Sequence, residues 1–169
     1  EENKIYYIKK RLQQRMQAGE FTRIEDYIKH LRLFDPKGIE FQELMNLLTV
    51  NETYFFREFS QLQVFAEACL EETTHAKWKA DARTIKIFCA GCSTGEEPYT
   101  LGIILKEMLD NFPAWNVLIK AVDIDKNVLR VAQRGVYDQR SIKDVPPSYL
   151  KSYFSVTAAG QYAIDDSIK

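Results

Sequence analysis

The sequence has few of the side chains on which most nucleophilic and metal chemistry depends, since its 169 residues include only two histidines, His30 and His75. Its three cysteines, an odd number, argue against a disulfide framework and favour a reducing compartment, and no metal site is predicted. No apolar run approaches the roughly 18 residues of a transmembrane helix. A net charge of −1 implies no global attraction to nucleic acid or to an anionic membrane. These absences favour a cytoplasmic protein that neither inserts into a membrane nor binds nucleic acid.

Apolar side chains, by contrast, are plentiful: 46% of the residues are hydrophobic and 12% are aromatic, which is enough for a packed core. The length suits one large or two small domains. Apolar residues at helical spacing predict a helical domain over 1–70, and the polar stretch 71–83 is expected to be a linker or an exposed loop. A β-α-β unit is expected over 84–135, followed by a small subdomain of one helix and short strands over 136–169.

The most informative stretch is Ile85–Tyr99, with the sequence IKIFCAGCSTGEEPY. A run rich in β-branched and aromatic residues ends at Ala90, a loop of small residues follows, and a helical pattern begins at two glutamates. Strand, tight loop and helix in this order direct backbone N–H groups and a helix N-terminus at whatever lies above the sheet. The stretch therefore predicts a functional loop, and three interpretations of it compete.

Two of the interpretations are reactive centres. Gly91-x-Ser93-x-Gly95 matches the nucleophile elbow G-x-S-x-G, but the histidine of that hydrolase fold follows the serine, and both histidines here precede it. Cys89 and Cys92 have the C-x-x-C spacing of a redox pair near a helix start, where the pKa of a thiol falls. The alternative is that both cysteines are inert, one ending a buried strand and the other fitting a tight loop.

The third interpretation is a cofactor loop. A second strand pattern over 117–122 ends in Asp123-Ile124-Asp125 and precedes another helix, which completes a β-α-β unit with parallel strands. An acidic residue that ends the second strand, some thirty residues after the glycine loop, is placed to accept hydrogen bonds from ribose hydroxyls. Asp125 is expected to cap the helix, which leaves Asp123 free to face the ligand.

The charges of the loop discriminate between cofactors. Glu96 and Glu97 suit the dipole of a helix N-terminus, but they would repel a pyrophosphate. S-adenosylmethionine carries a sulfonium and an ammonium and has no phosphate, so it fits this loop better than a dinucleotide does.

Three motifs together resemble those of the chemotaxis receptor methyltransferases, the CheR family. GCSTGEEPY and the later AVDID are similar to the first two cofactor motifs of that family, and TVNETYFFRE over 49–58 is similar to a segment just before its methyltransferase domain. The resemblance covers essentially the whole chain. It implies an α/β fold, in which an all-helical N-terminal domain precedes a partial Rossmann-like methyltransferase domain that depends on S-adenosylmethionine and carries a small β-subdomain.

The resemblance also implies a reaction, the transfer of a methyl group to glutamate side-chain carboxylates of chemoreceptors, with S-adenosylhomocysteine as the second product. The cofactor contacts that it implies are Asn51, Thr53, Arg57, Ala90, Gly91, Glu97, Asp123 and Ile124. Asp123 would hold the ribose, Glu97 the amino group, and Arg57 the cofactor or the incoming carboxylate, which makes Arg57 the candidate catalytic residue. No general base is required, because a glutamate carboxylate is ionised near pH 7. The aromatic residues expected in the core beside them are Phe55, Phe56 and Phe59.

The first helix carries a basic run, whose usual meaning is a solvated helix face. Receptor methylation regions are Glu-rich helices, so the resemblance favours docking of this run on them. The docking residues that it implies are Lys9, Lys10, Arg11 and Arg15. Some family members also bind a C-terminal receptor peptide through the β-subdomain, which makes such a peptide a further candidate partner.

The family continues with an Asn-Leu pair and an Arg-Asn segment that complete its cofactor pocket, and this sequence ends before them. The chain is therefore expected to be C-terminally truncated, with an unpaired sheet edge that is open to dimerisation. The alternative function is a non-enzymatic module that senses S-adenosylmethionine or binds protein partners.

Overall fold

The computed structural model describes residues 2–169, with side chains from residue 4 onward, and these residues form two compact units. The first unit contains the residues up to Val50 and the segment Ile124–Asn127, and the second contains Asn51–Asp123 and Val128–Lys169.

The boundary at Val50 differs from the one that the helical pattern predicts at residue 70. Residues 51–70 belong to the second unit because Phe55, Phe56 and Leu70 are buried in its core. Helical periodicity alone could not reveal this, since it identifies a helix without identifying the unit against which the helix packs.

The first unit consists of α1 (Glu2–Ala18), α2 (Ile24–Leu33) and α3 (Ile39–Leu48). A polar cluster joins the three helices. The carboxylate of Glu40 accepts hydrogen bonds from the hydroxyl of the fully buried Tyr27 (2.8 Å) and from Nε of Arg15 (3.0 Å), and a second bond completes a bidentate ion pair with Arg15. The guanidinium of Arg15, which donates to the charged form, is the largest cause that lowers the pKa of Glu40 below its ordinary value.

Replacing Glu40 by glutamine is expected to lower the free energy of unfolding of the first unit by about 1–2 kcal/mol, because the amide loses the charge that pairs with Arg15. Since the pKa of Glu40 is lowered in the folded chain, this stabilisation is present above the ordinary carboxyl pKa and is lost as the pH falls through the folded value. Urea unfolding at pH 7 and at about pH 3 measures both effects. A difference between the two proteins that stays the same at both pH values would contradict the assignment.

Several apolar side chains of the first unit stay exposed, although the helical pattern predicts them in a core. Three helices alone enclose little volume, and small units bury a smaller fraction of their surface than large ones do. The exposed members are Ile5, Ile8, Ile24, Ile28 and Phe41.

The second unit begins with an irregular segment over 51–58. A long helical stretch follows, made of α4 (Phe59–Val64), a π-helix (Phe65–Leu70) and α5 (Glu71–Lys79). The prediction of a linker or loop over 71–83 is wrong, because α5 occupies most of it. This helix has no buried residue of its own, and an exposed polar helix lacks the apolar periodicity that reveals a helix in a sequence. Phe59, which was expected in the core, is exposed at the start of α4.

The β-α-β unit follows as predicted. Strands β1 (Thr84–Ala90) and β2 (Asn116–Val122) pair in parallel and in register from end to end, and α6 (Glu96–Met108) connects them. Ile85 of β1 and Leu105 of α6 share a buried cluster that holds the helix on the sheet. Because the strands are parallel, their carboxyl ends meet at one edge of the sheet, where a loop follows each strand.

The elements after β2 are α7 (Lys126–Arg134), β3 (Val136–Tyr137), α8 (Pro147–Tyr153), β4 (Phe154–Val156) and β5 (Tyr162–Ile164). The last three strands form a small antiparallel sheet in the order β3-β5-β4. The ring of Phe55 lies edge-on to Tyr137 and Phe154, with centroids 4.9 and 5.0 Å apart, so this sheet shares a core with the segment before α4. Across residues 2–169, no helix is long and apolar enough to cross a membrane.

Candidate cofactor site

The loop after β1 folds over the carboxyl end of β2. The backbone N–H groups of Gly91 and Cys92 both donate to the carbonyl oxygen of Val122, at 2.8 and 3.0 Å. Gly91 and Ser93 have positive φ angles of 79° and 48°, which glycine adopts readily and serine only at a cost. The hydrogen bonds to β2 hold the loop in this strained shape.

Asp123 directly follows β2, and its carboxylate is tied to the loop. Oδ2 accepts a hydrogen bond from the backbone N–H of Ser93 at 2.8 Å. This contact gives the side chain a fixed orientation beside the loop, and the expectation that Asp123 faces the ligand stays a prediction. The neighbouring Asp125 behaves as predicted, because its Oδ1 caps α7 by accepting a hydrogen bond from the N–H of Asn127 at 2.8 Å.

The two glutamates that open α6 have opposite environments. Glu96 is only 1% exposed, and its carboxyl group accepts hydrogen bonds from Oγ1 of Thr94 (2.6 Å) and Oγ of Ser141 (3.0 Å). Glu97 is exposed, and it adds to the rise that burial causes in the pKa of the Cys89 thiol at the end of β1. Glu96 is therefore a buried clamp, whose carboxyl group joins Thr94 of the loop to Ser141. The carboxylate of Glu97, in the first turn of α6, is the one beside this loop that a ligand can reach.

The segment before α4 is held by the same clamp. The N–H of Phe55 donates to the carbonyl oxygen of Ser141 (2.9 Å), and the N–H of Phe56 donates to Oγ1 of Thr100 in α6 (3.2 Å). Ser141 thus connects this segment with the glycine loop through Glu96. Phe56 has a φ of 59°, which is rare for a bulky residue and is the kind of strain that concentrates at functional sites.

Arg57, the predicted catalytic residue, has a side chain that is 44% exposed. Its described contacts lie within its own segment: it donates to the carbonyl oxygen of Glu52, lies 3.8 Å from the carboxylate of Glu58, and stands 5.8 Å from the ring centroid of Tyr54. These contacts do not include the glycine loop. An exposed ion pair of this length is weak, so a ligand that offers a carboxylate can redirect the guanidinium at little cost.

The predicted cofactor residues fall into three places. Ala90, Gly91, Glu97 and Asp123 lie at the strand ends and the loop. Asn51 and Thr53, respectively exposed and partly buried, lie with Arg57 on the segment before α4. Ile124 lies in the first unit, where its side chain is exposed and its carbonyl oxygen accepts a hydrogen bond from Nε2 of Gln42 (2.6 Å).

Neither reactive-centre interpretation survives the structure. Burial raises the pKa of the Cys89 thiol to about 12, with Glu97 adding to the shift, and burial also raises the pKa of the Cys92 thiol. A redox pair needs accessible thiols with lowered pKa values. The hydroxyl of Ser93 is buried without a hydrogen-bond partner among the described residues, so no base contacts it.

Sequence reasoning missed Thr100 and Ser141 and gave Glu96 no specific role. For Glu96 a partial signal exists, because adjacent residues of a helix point about 100° apart, so two neighbouring acids have different surroundings. For Ser141 the sequence carries no such signal, because Ser141 lies 45 residues from Glu96 and only the tertiary fold brings the two together.

The basic run of α1 is only partly available for docking. Lys9 and Lys10 are exposed, and Arg11 is half-buried with contacts inside its own helix. Arg15 is committed to its ion pair with Glu40 inside the first unit. The assignment of Arg15 to the docking run is therefore corrected.

The residues at the strand ends fit an adenosyl cofactor. A Cβ added at Gly91 would meet no atom within 4 Å, so open space lies against this stretch of backbone. Glu97 and Asp123 supply carboxylates suited to an ammonium group and to ribose hydroxyls. The buried and unpartnered hydroxyl of Ser93 leaves a further hydrogen-bonding group at the loop.

Comparison with protein families assigns both units. Residues 1–49 match the all-alpha domain of the CheR methyltransferases, and residues 51–169 match the domain of that family that binds S-adenosylmethionine. The division between the two matches coincides with the boundary between the units at Val50.

Two individual relatives support the same family assignment. The chain is 39% identical to chemotaxis protein methyltransferase 2 of Vibrio cholerae over 169 residues, which cover 100% of this chain and 57% of that protein. It is 32% identical to the chemotaxis protein methyltransferase of Borreliella burgdorferi over 170 residues, or 99% of this chain and 59% of the relative. The chain thus spans a little more than half the length of these relatives. S-adenosylmethionine is the cofactor of the matched domain, and the chain belongs to the CheR methyltransferase family.

Proposed function

We propose that this chain forms part of an enzyme that transfers the methyl group of S-adenosylmethionine to glutamate side chains of chemoreceptors. The products are glutamyl methyl esters and S-adenosylhomocysteine. The observation that carries the proposal is the loop after β1, where open backbone at Gly91 is accompanied by an exposed carboxylate, Glu97, and by the oriented carboxylate of Asp123. The names of the relatives, chemotaxis protein methyltransferases, support the same reaction class.

Each cofactor contact is proposed from the family resemblance and the position of the residue. Asp123, oriented by the N–H of Ser93, accepts hydrogen bonds from the ribose hydroxyls, and Glu97 pairs with the ammonium group. The other proposed contacts are Asn51, Thr53, Arg57, Ala90, Gly91 and Ile124. Because Asn51, Thr53 and Arg57 lie on one short segment, the contacts of Phe55 and Phe56 that anchor this segment also position these three residues.

The chemistry requires little of the protein. When bound, S-adenosylmethionine supplies a methyl group on a sulfonium, which is already an activated leaving group. The nucleophile is the substrate carboxylate, which is ionised near pH 7 and needs no base. The work of the protein is to align the substrate carboxylate and to exclude water from it. Arg57, whose guanidinium is half exposed, is proposed to contact this carboxylate.

The proposed substrate surface is the exposed part of the basic run on α1, namely Lys9 and Lys10 with a contribution from Arg11. Glu-rich receptor helices complement these charges, and such docking weakens as the salt concentration rises. The proposed location is the cytoplasm. A C-terminal receptor peptide bound by the sheet β3-β5-β4 remains a further proposed partner, and self-association through a free edge of the β1–β2 sheet remains a prediction.

The direct test is methyl transfer to a receptor. The chain is incubated with methyl-labelled S-adenosylmethionine and a receptor cytoplasmic fragment, and the label released by base as methanol reports a methyl ester. We expect base-labile label on receptor glutamates. Cofactor binding without any base-labile label would contradict methyl transfer by this chain while leaving the cofactor site intact.

Alanine at Gly91 is expected to weaken the binding of S-adenosylhomocysteine by about tenfold or more, because its Cβ would occupy space that faces the ligand and a non-glycine residue resists a φ of 79°. Gly160 in the turn between β4 and β5 offers a matched control, since it has a φ of 73° and its Cβ would also meet nothing within 4 Å. Both variants should lose a similar stability, about 1 kcal/mol. Equal losses of affinity, measured by calorimetric titration, would remove Gly91 from the site.

A further inference from the structure

A second concave site lies in the second unit, away from the glycine loop. It is a groove of about 620 Å³ between the stretch formed by the π-helix and α5 and the C-terminal end of α6. The glycine loop leads into the opposite, N-terminal end of α6. The proposed methyl transfer uses no residue of this groove.

The apolar lining of the groove is aromatic and partly exposed. Trp115 and Leu109 are buried beneath it, whereas Trp78 is 54% exposed and Met108 is 51% exposed. Large apolar side chains that remain half exposed in a concave site are typical of a surface that binds a partner. The groove therefore has the features of a surface that binds a partner.

The rim of the groove is predominantly acidic. Its lining contains four exposed carboxylates and one histidine, His75; the carboxylates are those of Glu67, Glu71, Glu72 and Asp110. Glu67, Glu71 and Trp78 lie on one side of the π-helix and α5, since residues four and seven positions apart share a helix face. Asp110 follows the C-terminal end of α6. The two lysines of α5, Lys77 and Lys79, do not line the groove, so carboxylates outnumber basic groups in its lining.

One contact within the chain shows what this surface attracts. The guanidinium of Arg83 lies 4.1 Å from the ring centroid of Trp78, the distance of a cation–π contact. The indole thus already binds a cation, and the exposed part of its surface remains available. A surface with carboxylates beside an indole recognises positive charge in two ways. The carboxylates form ion pairs with the cation, and the indole stacks on it.

We propose that this groove binds a basic segment of a protein partner, whose arginine or lysine side chains pair with the rim carboxylates and stack on Trp78. Charge complementarity selects this occupant, because an acidic or neutral segment would desolvate four carboxylates without replacing their hydration. The groove gives the chain an interaction surface that is independent of the proposed cofactor and receptor sites.

Tryptophan fluorescence tests the proposal directly, because the chain has only two tryptophans and both line the groove. Acetylated hexa-arginine is titrated into the folded chain at about 50 mM and at about 500 mM salt. We expect saturable quenching or a spectral shift at low salt and at least tenfold weaker binding at high salt. Hexa-glutamate should leave the emission unchanged.

Two variants and a charge-matched control separate the groove from general electrostatics. The double replacement Glu71→Lys and Glu72→Lys should weaken binding by about tenfold, and Trp78→Leu by several-fold. The control, Asp144→Lys with Asp166→Lys, changes the net charge equally at exposed positions outside the groove and should have less than about a twofold effect. Equal weakening by the two double variants, no binding of hexa-arginine, or equally tight binding of free arginine would each overturn the proposal.

Discussion

Alanine at Glu96 will lower the free energy of unfolding of the second unit by about 2–4 kcal/mol, although we place this residue in contact with neither cofactor nor substrate. Its side chain is almost fully buried, and its carboxyl group is the acceptor for the hydroxyls of Thr94 and Ser141. Without it, two partly buried hydroxyls lose their partner and a cavity replaces the carboxyl group. Each of these changes is unfavourable, and both occur at the same place.

The same substitution is expected to weaken the binding of S-adenosylhomocysteine. Ser141 also holds the N–H of Phe55, so release of Ser141 loosens the segment that carries Asn51, Thr53 and Arg57. The effect on affinity is therefore indirect and accompanies the loss of stability.

Glu97→Ala is the matched control, because the residue is of the same type, is adjacent in sequence and is exposed. It should change the free energy of unfolding by less than about 0.5 kcal/mol and still weaken cofactor binding. Urea unfolding and calorimetric titration measure the two quantities. A similar loss of stability in both variants would show that Glu96 is not the clamp described above.

Replacing Asp123 by alanine is expected to weaken the binding of S-adenosylhomocysteine by about tenfold to a hundredfold, which corresponds to about 1.5–3 kcal/mol. Two causes act together. The ribose hydroxyls lose a charged acceptor, and the N–H of Ser93 loses the carboxylate that fixes the shape of the loop.

Asp123→Asn separates these causes, since the amide oxygen can still accept the hydrogen bond from Ser93 but carries no charge. We expect its affinity to lie between that of the unaltered chain and that of the alanine variant, with unfolding at the same urea concentration as the unaltered chain. If calorimetry found unchanged affinity in the alanine variant, Asp123 could no longer be proposed as a cofactor contact.

The parts of the fold that the sequence predicts well are those with a local signal. The β-α-β unit is predicted by the run of β-branched and aromatic residues before Ala90, the small residues of the loop and the periodic helix after it, because residue type, period and turn chemistry are local properties. Asp125 as a helix cap is predictable for the same reason, since a cap contacts a residue two positions away.

The parts that the sequence does not reveal depend on contacts between distant residues. Arg15 looks like one member of a basic surface until the fold brings Glu40 beside it, 25 residues away. Helix α5 looks like a linker because the sequence of an exposed polar helix carries no period. The clamp between Glu96 and Ser141 has the same origin, so the residues that shape the candidate site were harder to identify than those proposed to touch the cofactor.

A calorimetric titration of this chain with S-adenosylhomocysteine, beside the Asp123→Ala variant, tests whether the loop after β1 and Asp123 bind the cofactor. We expect saturable binding with one ligand per chain, weakened at least about tenfold in the variant. Absence of binding heat over a range of temperatures, in a chain whose cooperative unfolding shows that it is folded, would contradict the claim that the loop after β1 and Asp123 form a cofactor site.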